Sequence, residues 1–433
     1  MVISILNDAN YSSYRHSILS GKVTGIWNNI LFMGTSSYPI FPYNYLTSDF
    51  SSFEKNIYKN NVPKIVYHLS GYGSLFNESY ISFLGESTER YSYVLSKILL
   101  KSNIIKGSYK ELKSKYLNDY ILPLKYINIQ FEKNSVNYLN ADDKIKWVCM
   151  NSLINPGKKV WIPLQFVLLA DNETFQNEKK YNITAVSTGT ACHDNFTTAL
   201  QNALIEYEQI DSFNLWWYGG IKGTPLKCSM RFIQKLFDNV DTKQFSSNFK
   251  IRFTDISFDK DIYVIVCEIF VNEGDDNLPK YTVGVQGGLT KSKCIYRSFM
   301  EALTVLEYSM NVAWLEPKKY IASTTRKQIG NLDDNVLKYA IEGKPKLKLN
   351  NFSFTTRKKS KTLKQQLENL SSLSKYAAYL DISPLEFKNL GFTIVRVIVP
   401  ELLPVSMPTY PPKYHPKYKK IGGIKNTNVH PMA

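Results

Sequence analysis

Hydrophobic and polar positions repeat one layout three times along the chain. A β-type run at 64–69 precedes Ser70-Gly-Tyr-Gly73, and a helical pattern follows from about Asn77 to Leu100. A second run at 181–186 leads through Ser187-Thr-Gly-Thr190 into a helix from about Asn195 to Trp217. A third at 281–285 leads through Gln286-Gly-Gly288 into a helix from about Ser292 to Met310. Gly189 follows Gly71 by 118 residues and Gly284 follows Gly189 by 95. Such unequal spacing excludes a stacked solenoid and suits three strand–glycine turn–helix units of one α/β fold.

On a wheel of about 100° per residue each helix has an apolar stripe. Tyr80, Leu84, Tyr91, Leu95 and Ile98 form the first, with Glu86 and Glu89 opposite. Phe196, Leu200, Ala203, Tyr207 and Ile210 form the second, flanked by Glu206 and Gln209. Ile295, Phe299, Ala302 and Leu306 form the third, with Arg297 and Glu301 opposite. Each helix therefore sets a carboxylate off its core face at matching depth. The plain alternative is that these are solvent-side charges, Arg297 and Glu301 being an ordinary i,i+4 pair. The glycine turns favour a site instead, because a turn feeding a helix N-terminus offers free N–H groups to phosphate. Carboxylates further along can hold Mg²⁺, which takes oxygen ligands and bridges phosphates. No GxxxxGK[ST] motif occurs, nor a GxGxxG with its acidic ribose ligand, so a nucleotide site would be an unusual one.

Composition changes this picture in one respect. Of 433 residues 44% are hydrophobic, which supports a large core, and Lys+Arg 53 against Asp+Glu 37 leaves +16. That charge is local: 317–365 holds 13 Lys/Arg against 3 Asp/Glu, and 410–425 holds 5 Lys and no acid. The run Arg357-Lys-Lys-Ser-Lys361 reads as a solvated loop, with docking of an acidic partner as the alternative. No nucleic-acid motif accompanies the charge, and the 30 tyrosines are scattered, so nucleic-acid binding is unsupported. Five widely spaced cysteines without CxxC argue against a disulfide framework or a zinc site. With no eighteen-residue apolar run and no signal-like N-terminus, the chain reads as soluble and cytoplasmic, without a membrane partner.

The residues then become specific. Gly85-Glu-Ser-Thr-Glu-Arg-Tyr91 resembles the GEAxERY signature of the YcaO family. Residues 187–217 are similar, without a gap, to its long motif SNGxAxGxxxEEAxxxALxExxERDAxxLWW. Residues 284–304 resemble its later Gly turn and AxxRAxxEAxQ element, and Val399-Pro-Glu-Leu-Leu-Pro404 its closing VPGLxPL stretch. The resemblance, to azoline-forming members of the D-protein type, implies a YcaO α/β fold of mixed sheets flanked by helices. It implies ATP and Mg²⁺ as cofactors and a ribosomally made precursor peptide as substrate, as in bacteriocin biosynthesis. In such enzymes a Cys, Ser or Thr side chain attacks the preceding carbonyl. The amide oxygen is phosphorylated and leaves as phosphate, giving a thiazoline or (methyl)oxazoline. Related members form thioamides or amidines, and a non-catalytic ATP-binding scaffold is a further alternative.

Carried over residue by residue, Glu86, Glu89 and Glu206 match Mg²⁺ ligands at the triphosphate, and Ser187 a phosphate-contacting serine. Gln209 and Asp194 fall in the nucleotide-binding motif. Arg297 and Glu301 match the third-helix pair that acts in catalysis, and Arg90 orients Glu86 and Glu89. The departures are Gln209-Ile210 where the family has Glu-Arg, Asp194 for Asn, Thr198 for Glu, and Tyr72 for a lysine between two glycines. The expected organisation is an N-terminal extension over 1–60, available for partner contact, and a YcaO domain over 61–433. That domain would carry a basic flexible insertion at about 317–372 and a proline-containing tail over 404–433. Family tails such as PHPxP reach towards the active site; here only His430-Pro is kept, and His430 reads as packing rather than a base. Cys192, in the second glycine turn, reads as packing rather than a nucleophile. With no fused ThiF-like leader-binding domain, a separate ThiF-like partner is expected, with a flavin dehydrogenase as an optional third component. Homo-oligomerisation stays open.

Overall fold

The computed structural model describes residues 68–168, 178–181, 187–228, 248–272, 278–325, 332–406 and 411–432. Shorter pieces at 18–20, 25–27, 31–35 and 43–49 and residues 15, 232 and 235 complete it. In chain order come β1 (Leu31–Thr35), β2 (Tyr43–Asp49), β3 (His68–Gly73) and α1 (Phe76–Leu99). Then follow β4 (Ile104–Ser108), β5 (Tyr120–Ile121), β6 (Lys144–Ser152), β7 (Lys159–Pro163), β8 (Thr190–His193) and α2 (Phe196–Trp217). Next are β9 (Thr224–Leu226), β10 (Phe249–Asp255), β11 (Tyr263–Val271), β12 (Tyr281–Gly288) and α3 (Lys291–Leu315). The last are α4 (Pro317–Thr325), α5 (Leu332–Glu342), α6 (Leu363–Ser371), β13 (Ala378–Asp381) and β14 (Thr393–Ile398), with several shorter helical turns.

Three sheets form, ordered β1-β2-β3, β12-β11-β10-β9 and β5-β7-β6-β13-β14-β8, with β4 on β6. Among these pairs only β5–β7 is parallel. The three strand–helix units thus place their strands in three different sheets, and each helix packs on its own strand and on a strand of another sheet: α1 on β3 and β8, α2 on β8 and β12, and α3 on β12 and β3.

Two of the expected glycine turns are strand instead: Ser70–Gly73 lies within β3 and Gln286–Gly288 within β12, while Gly284 lies in the strand run as expected. The reason is close approach. A Cβ on Gly71 would fall 2.2 Å from the Ser79 carbonyl oxygen of α1, and one on Gly284 2.2 Å from that of Ser298 in α3. Each helix rests directly on its strand's backbone, which only glycine permits. In the second unit the turn at 187–189 precedes its strand, and 182–186 lie outside the described residues. Cys192 is therefore a residue of β8, not of the turn.

The third stripe is as expected, with Ile295, Phe299, Ala302 and Leu306 all buried. In α1 Leu84 and Leu95 are buried, Tyr80 and Tyr91 are half-buried, and the side chain of Ile98 is not described. The helix also buries Ser79, Ser87, Thr88 and Ser92, so its packed face is wider than an apolar stripe suggests. Helix α2 departs most. Asn195 caps it by accepting the Thr198 N–H, leaving Phe196 39% exposed. Beyond that turn the helix is enclosed between two cores, Leu200, Ala203 and Tyr207 against Ile394 and Val397, and Ile210, Phe213 and Trp217 against Val264 and Val283. Its Asp211 is fully buried and meets the ammonium groups of Lys260 at 2.6 Å and Lys417 at 2.5 Å, with the Leu403 N–H at 2.8 Å. A buried charge needs this pairing.

Three segments outside the strand–helix units join the fold. Part of 1–60 belongs to the fold, because β2 pairs with β3 and Tyr43 and Tyr45 pack with Phe299 and Leu303. Segment 317–372 is not an unstructured run. It holds α4, α5 and α6, buries Val336, Leu337 and Tyr339, and ties Asn350 to the Gly219 and Ile421 carbonyls. The tail packs against the C-terminal end of α2, where Trp217 donates to the Asn428 carbonyl at 2.9 Å. His430 is fully buried at 3.0 Å from the Ser406 carbonyl oxygen, away from the carboxylates.

Candidate active site

The carboxylates of the three helices share one bonding pattern. Glu86 accepts from the Ser70 N–H of β3 at 3.1 Å, Glu206 from the Gly189 N–H at 2.9 Å, and Glu301 from the Val285 N–H of β12 at 2.8 Å. Each of these reaches back to its own unit. Three residues further along, on the same helix face, the side chain reaches the next unit. Glu89 accepts from Cys192 of β8 at 2.8 Å, and Gln209 from Gly287 of β12 at 2.6 Å. The relay links three sheets through their helices and converges on one cleft of about 890 Å³, which Glu86, Glu89, Glu206, Gln209, Arg297 and Glu301 all line.

Burial and mutual repulsion act on this set. Desolvation, then the neighbouring Glu206, pushes Glu89 up to about 8. Desolvation takes Glu206 and Glu301 up to about 7, opposed by their backbone hydrogen bonds. Arg90 lies 3.4 Å from Glu86, one turn along the helix.

Arg297 does not pair with Glu301 along the helix. It meets Glu78 at 3.2 Å, donates to the Tyr72 carbonyl at 3.1 Å, and lies over the Tyr72 ring at 4.6 Å. Glu78 is in turn held by the Ser74 N–H at 3.1 Å and the Tyr296 hydroxyl at 2.6 Å. Glu78 and Tyr296 were not legible as site residues. Glu78 reads in sequence as an ordinary first-turn acid, and only the approach of α3 to α1 gives it a partner.

Two expected residues do not line the cleft. The Ser187 carbonyl accepts from Arg396 at 2.9 Å and from the Thr190 N–H at 3.0 Å, as part of the turn against β14. Asp194 is exposed at the foot of α2 and pairs with His193 at 2.5 Å. Cys192 lines the cleft, but burial pushes its thiol up to about 12, so it is a protonated packing group within reach of the Thr88 hydroxyl at 3.1 Å.

Among the described residues no three His, Cys, Asp or Glu side chains form a ready-made metal cage. The donor set nevertheless fits Mg²⁺ held together with phosphates. That ion takes one or two carboxylates and completes its shell with water and phosphate oxygens. Carboxylates whose ionisation is disfavoured by burial and by one another are stabilised as anions by such an ion.

The chain belongs to the YcaO family: the model for YcaO cyclodehydratases, described as binding ATP and Mg²⁺, matches residues 70–403. ATP and Mg²⁺ are accordingly its cofactors. No curated protein matches the chain. Among solved structures it is similar to a heterocyclase in complex with substrate and cofactor, at 16% identity and TM-score 0.62. That match covers 90% of this chain but 52% of the other, so this chain spans about half the heterocyclase. It also resembles a chain of the E. coli microcin synthetase McbBCD complex at 14% identity and TM-score 0.55, covering 88% of this chain and 90% of that one. A third likeness is YcaO from Methanopyrus kandleri bound with AMPPCP and Mg²⁺, at 14% identity and TM-score 0.51, covering 86% and 85%. These likenesses show the mixed α/β fold. No helix among the described residues is long and apolar enough to cross a membrane.

Proposed function

We propose that this chain is an ATP-dependent cyclodehydratase that converts Cys, Ser or Thr of a ribosomally made peptide to an azoline. The observation that carries this reading is the convergence of Glu86, Glu89, Glu206 and Glu301 from three helices on one cleft, with Arg297 at its edge. Glu86, Glu89 and Glu206 would hold Mg²⁺, with the Gln209 amide as a neutral neighbour. ATP supplies a phosphoryl group that turns a poor amide-oxygen leaving group into phosphate. Arg297, clamped by Glu78, offsets charge on the transferred group, and Glu301 lines the cleft one turn further along the same helix. The protein's contribution is positioning and charge neutralisation.

The substrate and partners belong to the same proposal. A chain like this one sits within the McbBCD complex, and a related structure is described with pro-MccB17 bound. That supports a precursor peptide brought in by a separate, ThiF-like partner. Intact mass spectrometry of a precursor peptide with the chain, its partner, ATP and Mg²⁺ tests the reading. Loss of one water per ring is expected. An oxygen-for-sulfur exchange when sulfide is supplied would replace cyclodehydration by thioamide formation. An unchanged peptide without phosphate release would leave an ATP-binding scaffold.

A further inference from the structure

Segment 317–365 carries most of the positive charge, and its second half folds against α6 to enclose an open depression of about 530 Å³. Arg357, Lys358 and Lys359 line one side, and Gln365, Glu368 and Asn369 of α6 the other. Neutral acceptors hold two of these cations. Arg357 donates to the Asn369 carbonyl and the Ser372 hydroxyl at 3.4 Å each, and Lys359 to the carbonyls of Lys260 at 3.1 Å and Ile262 at 2.7 Å. Lys358 and its neighbour Lys361 are exposed and make no ion pair with a described residue. Lys359 is offset by the nearby Asp255, Asp261 and Glu208, so the field left for a ligand is that of Arg357 and Lys358, with Lys361 beside them, against the single lining carboxylate Glu368.

Helix α6 is the wall between this depression and the active cleft. From its opposite side Gln366 accepts from Gln201 at 2.7 Å, and Gln201 lines the cleft. One helix is about 10 Å across, a span that three or four extended residues cover. The depression is lined by amides, hydroxyls and cations without an aromatic ring, so it offers no base-stacking platform. We propose that it docks an acidic segment of the peptide substrate, a few residues from the position that enters the cleft. This rests on the reading above that the substrate is a peptide.

The test is fluorescence anisotropy of the full chain, without ATP, using a labelled deca-glutamate peptide and a labelled single-stranded decanucleotide. Deca-glutamate should bind, and the double variant Lys358→Glu/Lys361→Glu should weaken it about tenfold. The equal charge change Lys419→Glu/Lys420→Glu, at exposed positions elsewhere, should alter it less than about twofold. Absent binding, equal loss in the two double variants, or tighter binding of the decanucleotide would each overturn the proposal. Failure of the mass-loss assay with the wild-type chain would count against the cyclodehydratase alone. Full wild-type modification, unchanged in Lys358→Glu/Lys361→Glu, would count against the docking site alone.

Discussion

Gln209 accepts the Gly287 N–H through its amide oxygen at 2.6 Å, the same use that Glu89 makes of the Cys192 N–H at 2.8 Å. Glutamine can stand at this place because the relay between units needs an acceptor oxygen, and an amide supplies one without charge. Gln209→Glu should keep the contact and the fold, with ATP turnover equal to or above wild type. Gln209→Leu leaves the Gly287 N–H unpartnered and should destabilise by about 1–3 kcal/mol. Urea unfolding and phosphate release measure the two effects, and complete loss of turnover in Gln209→Glu would give the amide a role of its own.

The same logic separates charge from architecture at the carboxylates. Glu86→Gln, Glu89→Gln and Glu206→Gln each keep an acceptor for the strand N–H and remove the anion. Circular dichroism should be unchanged, while apparent Mg²⁺ affinity in ATP turnover falls by about tenfold to a hundredfold. A variant that unfolds instead would remove that residue from the site.

Glu78 holds Arg297 at 3.2 Å. Glu78→Gln weakens a charge-assisted contact worth about 1.5–3 kcal/mol, so KM for ATP should rise about tenfold or more. Tyr296→Phe, which removes the hydroxyl that steadies Glu78, should move KM the same way by less. A fall in kcat with KM unchanged in both variants would show that Arg297 contributes after binding.

Two buried histidines make stability depend on acid. Desolvation lowers His415 and His430 to about 4, against about 6.5 in the unfolded chain. Between these values the unfolded state binds the extra protons, so stability is full above about pH 6.5 and declines as pH falls through about 4. The raised Glu89, Glu206 and Glu301 slope the other way at higher pH, so the informative quantity is a difference. Urea midpoints of wild type and His430→Asn, compared from pH 4 to 7, should converge in slope above pH 6.5 and diverge below it.

Gly284→Ala tests the contact of strand with helix. The added methyl would meet the Ser298 carbonyl oxygen and lie 2.5 Å from the Ala302 nitrogen, both rigid backbone. Displacing α3 should cost about 1–3 kcal/mol and misplace Arg297 and Glu301 together. Thermal melting and ATP titration of one sample would show both losses, and an unchanged melting temperature would mean that α3 has room to move.

Much of the site could be read before the fold was known. Helix periodicity placed Glu86, Glu89, Glu206, Gln209, Arg297 and Glu301 off their core stripes, and all six line the cleft. The misreadings have separate causes. Glycine next to a helix start suggested phosphate turns at Ser70–Gly73 and Gln286–Gly288, whereas both stretches belong to strands on which a helix packs closely. Charge density suggested a flexible insertion at about 317–372, because the apolar residues that anchor α5 are too few to outweigh the lysines in composition, although the run 357–361 is loop as expected. Ser187 and Asp194 came from the motif match, and neither side chain is among those that line the cleft.

The sequence alone determined the long helices, their polar faces and the family, since these depend on local spacing and on motifs a few residues apart. Tertiary structure decided which polar groups meet. Three strands in three sheets aim their N–H groups at carboxylates 16 to 103 residues away in the chain, and α1 and α3 bring Glu78 within reach of Arg297 across 219 positions. Contacts of that kind follow from packing of the whole chain, because nothing in a local window fixes which backbone group will be left without a partner.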